Sequence, residues 1–272
     1  MKVRMYNVGF GDCFCLRDRK KSLLVDFGTN NSRIEGRPRR EIFDVIISDL
    51  STIKSKNLLL THFHMDHLSG LLYMMKKKDI SVDFGKIYLP DVFSKKEMSR
   101  TLVLLLLADL LKESGLPSRQ VSLFALVDAL LENKQNVELL SRGKLFENKY
   151  QALWPDTDVI RKETDEVYNR ICEDGKFKEV MDVLLEFAEK LRLIVWSMTA
   201  EGNKPAETVE KETDLTASEL TEQPEVRQKI IRAYVYEREF RRIKALPDFK
   251  KLLAWLNENQ INLRQFKHKI SI

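Results

Sequence analysis

Leu58-Leu59-Leu60-Thr61-His62-Phe63-His64-Met65-Asp66-His67-Leu68-Ser69-Gly70 is the stretch on which the reading of this chain turns. The 272 residues contain four histidines, and three of them fall within these thirteen positions. The apolar run Leu58 to Leu60 predicts a strand over 57–63 that delivers them. In an extended strand end, residues i and i+2 point the same way, so His62 and His64 are expected to reach one ion together. Asp66 and His67 fall where a helix should begin, one turn further along the same wall. Imidazole nitrogen and carboxylate oxygen are ligand types that zinc and related ions accept. A surface loop that happens to be rich in histidine is the plainer alternative, but four such groups between 62 and 67 are hard to explain by packing.

The pattern Thr-His-x-His-x-Asp-His-x-Ser-Gly over 61–70 resembles the metal-binding signature of the metallo-β-lactamase superfamily. The resemblance implies an αββα sandwich, with His62 and His64 as ligands of one metal and Asp66 and His67 as ligands of a second. It implies one or two zinc ions, with manganese or iron as alternatives. The implied chemistry is hydrolysis by a metal-bound hydroxide attacking a carbonyl or phosphoryl centre, with Asp66 orienting that hydroxide or acting as its base.

The start of the chain points the same way. Residues 2–8 alternate as a first strand, Gly9-Phe10-Gly11-Asp12 is a turn, Cys13 to Arg17 a returning strand, and Ser22 to Phe27 a third that ends at Asp26-Phe27-Gly28. A meander followed by Asp-x-Gly is how the superfamily usually opens. Val8-Gly9-Phe10-Gly11-Asp12 resembles the Val-Gly-Gln-Gly-Asp opening of one branch, which includes the hydrolase-like domain of bacterial competence (DNA-uptake) proteins; Phe10 stands where that branch has glutamine. Asp12 and Asp26 are candidates for groups that orient metal-bound histidines, with turn chemistry as the equal alternative. Cys13 and Cys15 share one strand face and read as buried reduced thiols rather than ligands.

Composition bounds the rest. An apolar share of 43% can build a core, and the length allows one large domain or two modest ones. No signal-peptide h-region follows Met1, and the longest apolar run, Leu102 to Leu111, falls far short of the ~20 residues that span a bilayer. Three cysteines argue against a disulfide framework, so a soluble cytoplasmic protein is expected. Residues 201–225 carry eight acidic side chains and two lysines, which leaves the remainder near +11 against a net charge of +5. A basic remainder suits an anionic substrate, and ordinary solvated lysine and arginine explain it equally well.

Further along, apolar positions 42, 43, 46, 47 and 50 predict a helix over 39–53, and a helix over 66–78 carries Leu68, Leu71, Leu72 and Met75. Residues 86–89 read as a strand ending at Pro90. Strand and helix alternation predicts helices packed outside a sheet. From Ser94 the pattern changes to leucine-rich helices at 95–114 and 118–134, separated by Ser114-Gly115-Leu116-Pro117. Short strands are expected at 137–140 and 144–154, closed by Trp154-Pro155. Residues 156–262 read as almost wholly helical, including 177–198, 224–244 and 247–257, with a mobile acidic loop at 201–225. Arg238, Arg241, Arg242 and Lys244 read as a solvated helix face, with phosphate contact as the rival.

The end of the chain, Phe266 to Ile272, looks like the start of a strand. In the competence-type branch an Asn-x-x-Ser-apolar segment resembles it and opens the second half of the sandwich; His268 stands in place of that asparagine, and a strand-edge histidine is the safer reading. The family's later Gly-Asp and final histidine do not follow. Three accounts stand: an N-terminal part of a longer hydrolase, an inactive or weakly metal-binding regulatory module, or a site completed by a partner chain.

The expectation is therefore an α/β chain. Residues 1–93 would be the N-terminal half of a metallo-β-lactamase-like sandwich, 94–262 a mostly helical insertion able to bind a protein partner, and 263–272 a strand returning to the sandwich. A small-molecule or nucleic-acid phosphodiester is the preferred substrate, with carboxylic ester, thioester or lactam as the rival class and no membrane association.

Overall fold

In the computed structural model the described residues are 1–18, 21–77, 83–112, 122–133, 135–173, 175–200, 241–261 and 263. The chain opens with an antiparallel meander of β1 (Lys2–Met5), β2 (Phe14–Asp18) and β3 (Lys21–Val25). A two-residue hairpin, β4 (Arg33–Ile34) and β5 (Arg37–Pro38), leads into α1 (Arg39–Ser51). Then β6 (Ser55–Leu59), α2 (Met65–Met75) and β7 (Ile87–Pro90) follow, and a 3-10 turn at Lys96–Met98 runs into α3 (Ser99–Lys112). The remaining elements are α4 (Ser122–Glu132), β8 (Val137–Leu140), β9 (Leu145–Phe146), β10 (Tyr150–Gln151), α5 (Thr157–Cys172), α6 (Lys178–Ser197) and α7 (Pro247–Glu258).

Six strands form one mixed sheet in the order β1-β2-β3-β6-β7-β8, antiparallel from β1 to β3 and parallel from β3 to β8. This is the expected α/β class. Residues 137–140, inside the segment expected to be mostly helical, supply the sheet's outermost parallel strand. Its far edge is met by a parallel bridge from Val137 to Thr199, just beyond α6.

Side chains alternate across the sheet. Cys15, Leu24, Leu58, Ile87 and Leu89 face the helices, in one large core with α1 to α7. Leu23, Leu59, Tyr88 and Leu140 face the other way, where the β9–β10 hairpin covers them with Phe146, Tyr150 and Ala152. That hairpin is tied down by polar contacts: Glu147 accepts from Asn57 Nδ2 and Tyr88 Oη, and Lys149 pairs with Asp18. On the same face Val3 and Met5 of the edge strand remain exposed.

The leucine-rich helices are as deeply placed as their sequence implies. Every residue from Thr101 to Ala108 is buried, so this stretch of α3 is enclosed on all sides. Six leucines of α3 are 2% exposed or less. At about 1.5–3 kcal/mol each, they contribute roughly 10–20 kcal/mol of gross burial. The two hydroxyls trapped with them, Thr101 and Thr164 of α5, satisfy each other at 3.0 Å.

Several boundaries differ from the sequence expectation. The first strand ends at Met5 rather than 8, and the helix after the histidines ends at Met75 rather than 78. The expected strand at 144–154 is the short hairpin β9–β10, because Glu147 and Asn148 adopt positive φ (52° and 58°) and turn the chain. The expected helix at 95–114 begins as a 3-10 turn. Most consequentially, β6 runs over Ser55–Leu59 and not 57–63, so His62 and His64 lie on a bend and not in a strand. The acidic tract 201–225, Arg238, most of the helix at 224–244, His268 and the expected strand near 266–272 lie outside the described residues. Arg241 and Arg242 are exposed. No helix of the described residues is long and apolar enough to cross a membrane.

Asp49 of α1 fastens the meander to the helical layer. Its carboxylate accepts from Arg4 of the edge strand, Tyr6 and Arg17 of β2. Partial burial alone would raise its pKa, but the hydrogen bonds from Tyr6 and Arg4 and the charges of Arg4 and Arg17 lower it on balance. A lowered carboxyl pKa stabilises the fold above the ordinary carboxylate range and loses that contribution as pH falls through it. Asp49→Asn is therefore expected to cost about 1 kcal/mol at neutral pH. Urea unfolding should show the gap to wild type closing below roughly pH 4; a gap independent of pH would mean that charge plays no part.

Candidate metal centre

The site is built where β3 and β6 end side by side. Asp26 follows β3 in the left-handed region, at φ 55°, a conformation that aspartate tolerates better than most residues. Its backbone N–H still donates to Leu59 O at 2.8 Å. The next ladder donor on β6, the Thr61 N–H, instead meets the Asp26 side chain, donating to Oδ1 at 2.8 Å. This substitution of a side chain for a backbone partner stops the strand at Leu59 and starts the bend that holds the histidines.

Asp26 Oδ2 takes two more contacts. The Thr61 hydroxyl donates to it at 2.7 Å, and His67 Nδ1 lies 2.9 Å away. The Thr61 oxygen is also 3.0 Å from His62 Nδ1. With Asp26 as carboxylate and both rings neutral, proton counting assigns a tautomer to each. A hydroxyl has one proton; with that proton given to the carboxylate, Thr61 can only accept from His62, so His62 carries its proton on Nδ1. An ionised carboxylate only accepts, so His67 also carries its proton on Nδ1. In both neutral rings Nε2 is then the nitrogen that bears the lone pair, the form in which imidazole binds a metal. Asp26 itself is 2% exposed and already receives three donors on its two oxygens. It is an orienting group, the role that the sequence left level with turn chemistry; its φ shows that it performs both.

The three imidazoles meet in one patch. The His62 and His64 ring centres are 4.8 Å apart, and those of His62 and His67 are 3.6 Å apart. His64 is the N-cap residue of α2, with φ −93° and ψ 152°, and its carbonyl accepts the His67 N–H at 3.0 Å. Asp66, in the first turn of α2, places Oδ2 3.8 Å from His67 Nε2. Asp12, from the turn between β1 and β2, has Oδ2 3.7 Å from His67 Nδ1. Burial pulls the His67 pKa down, but the Asp26 hydrogen bond and the charges of Asp26, Asp66 and Asp12 outweigh it and raise the pKa. Three carboxylates around one ring make a field suited to a cation. Among the described residues, Asp12, Asp26 and His67 form the cluster whose candidate ligand atoms lie within 4.8 Å of one another. Of the four residues predicted as ligands that cluster contains His67; His62, His64 and Asp66 lie beside it without entering it, and Asp12 and Asp26 take their place.

The donor set fits a divalent ion. Lone-pair nitrogens and carboxylates on one patch are the nitrogen and oxygen ligands that zinc, manganese and iron share. Asp66 and Asp12 keep 30% and 46% of their side chains exposed, so they remain open to a ligand. Cys13 and Cys15 are fully buried on the core side, and burial pushes the Cys13 thiol up; they stay outside the site as apolar core.

Close backbone packing fixes the histidine stretch to the sheet. The Phe27 N–H donates to His67 O at 2.7 Å, and Phe27 O accepts from Gly70 and Leu71 at 2.8 and 3.1 Å. Ser69 Oγ accepts from Thr29 N and donates to Thr29 O. A Cβ on Gly70 would lie 2.6 Å from the Phe27 ring, and one on Gly28 would lie 2.6 Å from backbone atoms of Asp66 and Leu68. These contacts give Ser69, Gly70 and Gly28 a physical role that the sequence showed only as pattern. Thr61, whose hydroxyl lies between Asp26 and His62, carries no sign of that contact in the sequence pattern.

Comparison with known families finds a match over this same region. The family model described as the metallo-beta-lactamase superfamily matches residues 6–91, from Tyr6 beside β1 to Asp91 after β7. No curated protein and no solved structure matches the chain.

Proposed function

We propose that residues 6–91 carry the ligand wall of a metal-dependent hydrolase, with His62, His64, Asp66 and His67 as metal ligands and Asp66 as the catalytic carboxylate. The observation that carries the reading is a set of contacts: Asp26 Oδ2 lies 2.9 Å from His67 Nδ1 and the Thr61 hydroxyl 3.0 Å from His62 Nδ1, which leaves Nε2 of each ring to a metal, with His67 Nε2 3.8 Å from Asp66 Oδ2. A bound divalent ion would lower the pKa of water and polarise the scissile group. Asp66, partly exposed at the start of α2, would orient a water and accept its proton. Zinc is the preferred ion, one or two per chain, with manganese or iron as alternatives.

The substrate preference is a phosphodiester, in a nucleic acid or a nucleotide. It is supported by resemblance to the competence-type branch and by the basic balance outside residues 201–225. Hydrolysis of a carboxylic ester, thioester or lactam is the rival. Three free cysteines accord with a reducing compartment such as the cytoplasm, and the helices beyond residue 94 are a surface for a protein partner. A second reading, a regulatory module with an incomplete centre, is favoured by one fact: among the described residues, the acidic and imidazole cluster draws on no position after 67.

Metal analysis of the purified chain separates these readings. About two zinc ions per chain would sink the incomplete-centre reading, and none would sink the hydrolase reading for this chain. With metal present, phosphodiester cleavage should disappear in both His64→Ala and Asp66→Ala; equal activity in wild type and variants would show that the motif is not the active site. Cleavage of an ester, thioester or lactam alone would move the substrate to the rival class.

A further inference from the structure

The turn after β7 is held by a buried arginine from the helical half of the chain. Arg192 of α6 has a side chain with 0% exposure. Its Nε lies 3.1 and 3.2 Å from the two oxygens of Glu189, and its Nη2 lies 2.6 Å from Oε1. Its Nη1 reaches across to the carbonyls of Phe93 and Ser94, at 3.3 and 3.4 Å. Glu189 also accepts the Ser99 hydroxyl at the start of α3. From the sheet side, Asp91 caps the same turn by accepting from Ser94 N and Ser94 Oγ. The turn is thus gripped at both ends.

Between the grips sits Phe93, fully buried, with its ring 6.0 Å from that of Phe63 in an edge-to-face arrangement. Phe63 is the residue between His62 and His64, and it is 3% exposed. Phe93 packs edge-on against the Phe63 ring, and His62 and His64 are the residues on either side of Phe63 in the chain. A buried charge that satisfies two backbone carbonyls and a carboxylate at once is costly to install for packing alone. The planar fork of arginine makes both sets of contacts together; the single ammonium of lysine cannot.

We infer that Arg192 is a positioning residue for the histidine patch, acting through Phe93 on Phe63, so that the helical segment is a working part of the centre. This rests on reading the patch as a metal site. The test uses the full chain with Arg192→Lys, Arg192→Met, Phe93→Leu and, as a core truncation in α7, Leu256→Ala. Zinc alone is titrated against a chromophoric chelator at a temperature where circular dichroism shows each variant folded, and long-range ¹H–¹⁵N spectra of the metal-free proteins report the imidazoles directly.

Arg192→Lys and Phe93→Leu should each weaken zinc binding about tenfold, at the lower end of the 10–100-fold that outer groups typically contribute, and should move the His62 and His64 imidazole signals. Leu256→Ala should do neither. Arg192→Lys and Phe93→Leu keep the test decisive if Arg192→Met does not fold. Zinc affinity within twofold of wild type together with unmoved imidazole signals overturns the inference, as does an equal loss in Leu256→Ala. A wild-type chain that binds no zinc defeats the metal reading instead, and the imidazole signals of the metal-free variants still decide whether Arg192 positions the patch.

Discussion

Asp26→Asn is expected to weaken zinc binding by about 10–100-fold while leaving the chain folded. The substitution keeps the shape of the side chain and changes one property, because an amide NH2 takes the place of one accepting oxygen. Thr61 N–H can still donate to the retained carbonyl oxygen in the position of Oδ1. The NH2 then faces the Thr61 hydroxyl and His67 Nδ1, where two donors formerly converged. His67 can meet a donor there only by giving up its Nδ1 proton, which places the proton on Nε2. The ring keeps its position and loses the lone pair on Nε2, the nitrogen 3.8 Å from Asp66 Oδ2 that the proposed metal would need. His62 is affected through Thr61, whose hydroxyl is no longer committed to a carboxylate. Stability should fall by only about 1–3 kcal/mol. Asp26→Ala should fall further, since all three donors lose their acceptor, and a double variant Asp26→Asn/His67→Ala should bind no more weakly than His67→Ala alone. Chelator competition gives the affinities; Asp26→Asn within twofold of wild type would show that the proton arrangement does not govern binding.

The histidine stretch was legible because its groups are adjacent in sequence, and adjacency survives errors in local structure. The geometric reason assigned to it was different from the one observed. A strand through Phe63 would align His62 and His64 by alternation, but β6 stops at Leu59, and Asp26, 35 positions before Thr61, holds His67 directly and His62 through Thr61. A contact at that separation leaves no mark in periodicity. Asp26 was visible as part of Asp-x-Gly, yet nothing in one sequence distinguishes a turn aspartate from an orienting one when the residue is both.

The same limit explains Arg192. Reading α6 by its apolar positions, Val180, Val183, Leu184, Phe187, Leu191 and Ile194, finds the helix and passes over a charged residue next to Leu191, because exposure is the default for arginine. Burial of that guanidinium depends on Glu189 one turn earlier and on carbonyls about a hundred residues away. The sheet shows the complementary case. Residues 137–140 were found as a strand from composition, but their place beside β7 depends on which chains pair, which local pattern does not encode.

Gly28→Ala is expected to cost stability and metal affinity together, and the reason is steric. Gly28 does not need a left-handed backbone; the difficulty is space. A Cβ there would lie 2.6 Å from Asp66 C, Asp66 O and Leu68 N, closer than real Cβ contacts allow, and all three are backbone atoms that cannot swing aside. Relief requires either β3's exit or the start of α2 to move. Phe27, next to Gly28 in that exit, is bonded to α2 through His67 O and through the Gly70 and Leu71 N–H groups, so displacement must stretch those bonds too. The expected loss is about 1–3 kcal/mol, the usual range for overpacking, at the upper end because no flexible side chain can yield. Gly36→Ala supplies the contrast. Gly36 has φ 78° and nothing within 4 Å of the added Cβ, so its alanine variant carries only backbone strain, about 1 kcal/mol. Asp66 and His67 belong to the segment that Gly28→Ala pushes, whereas Gly36 lies in the turn between β4 and β5. Urea unfolding and chelator titration should therefore show both variants destabilised and only Gly28→Ala impaired in zinc binding. Normal zinc affinity in a folded Gly28→Ala protein would mean that the start of α2 can shift without disturbing its ligands, and that the close packing of these glycines serves the fold alone.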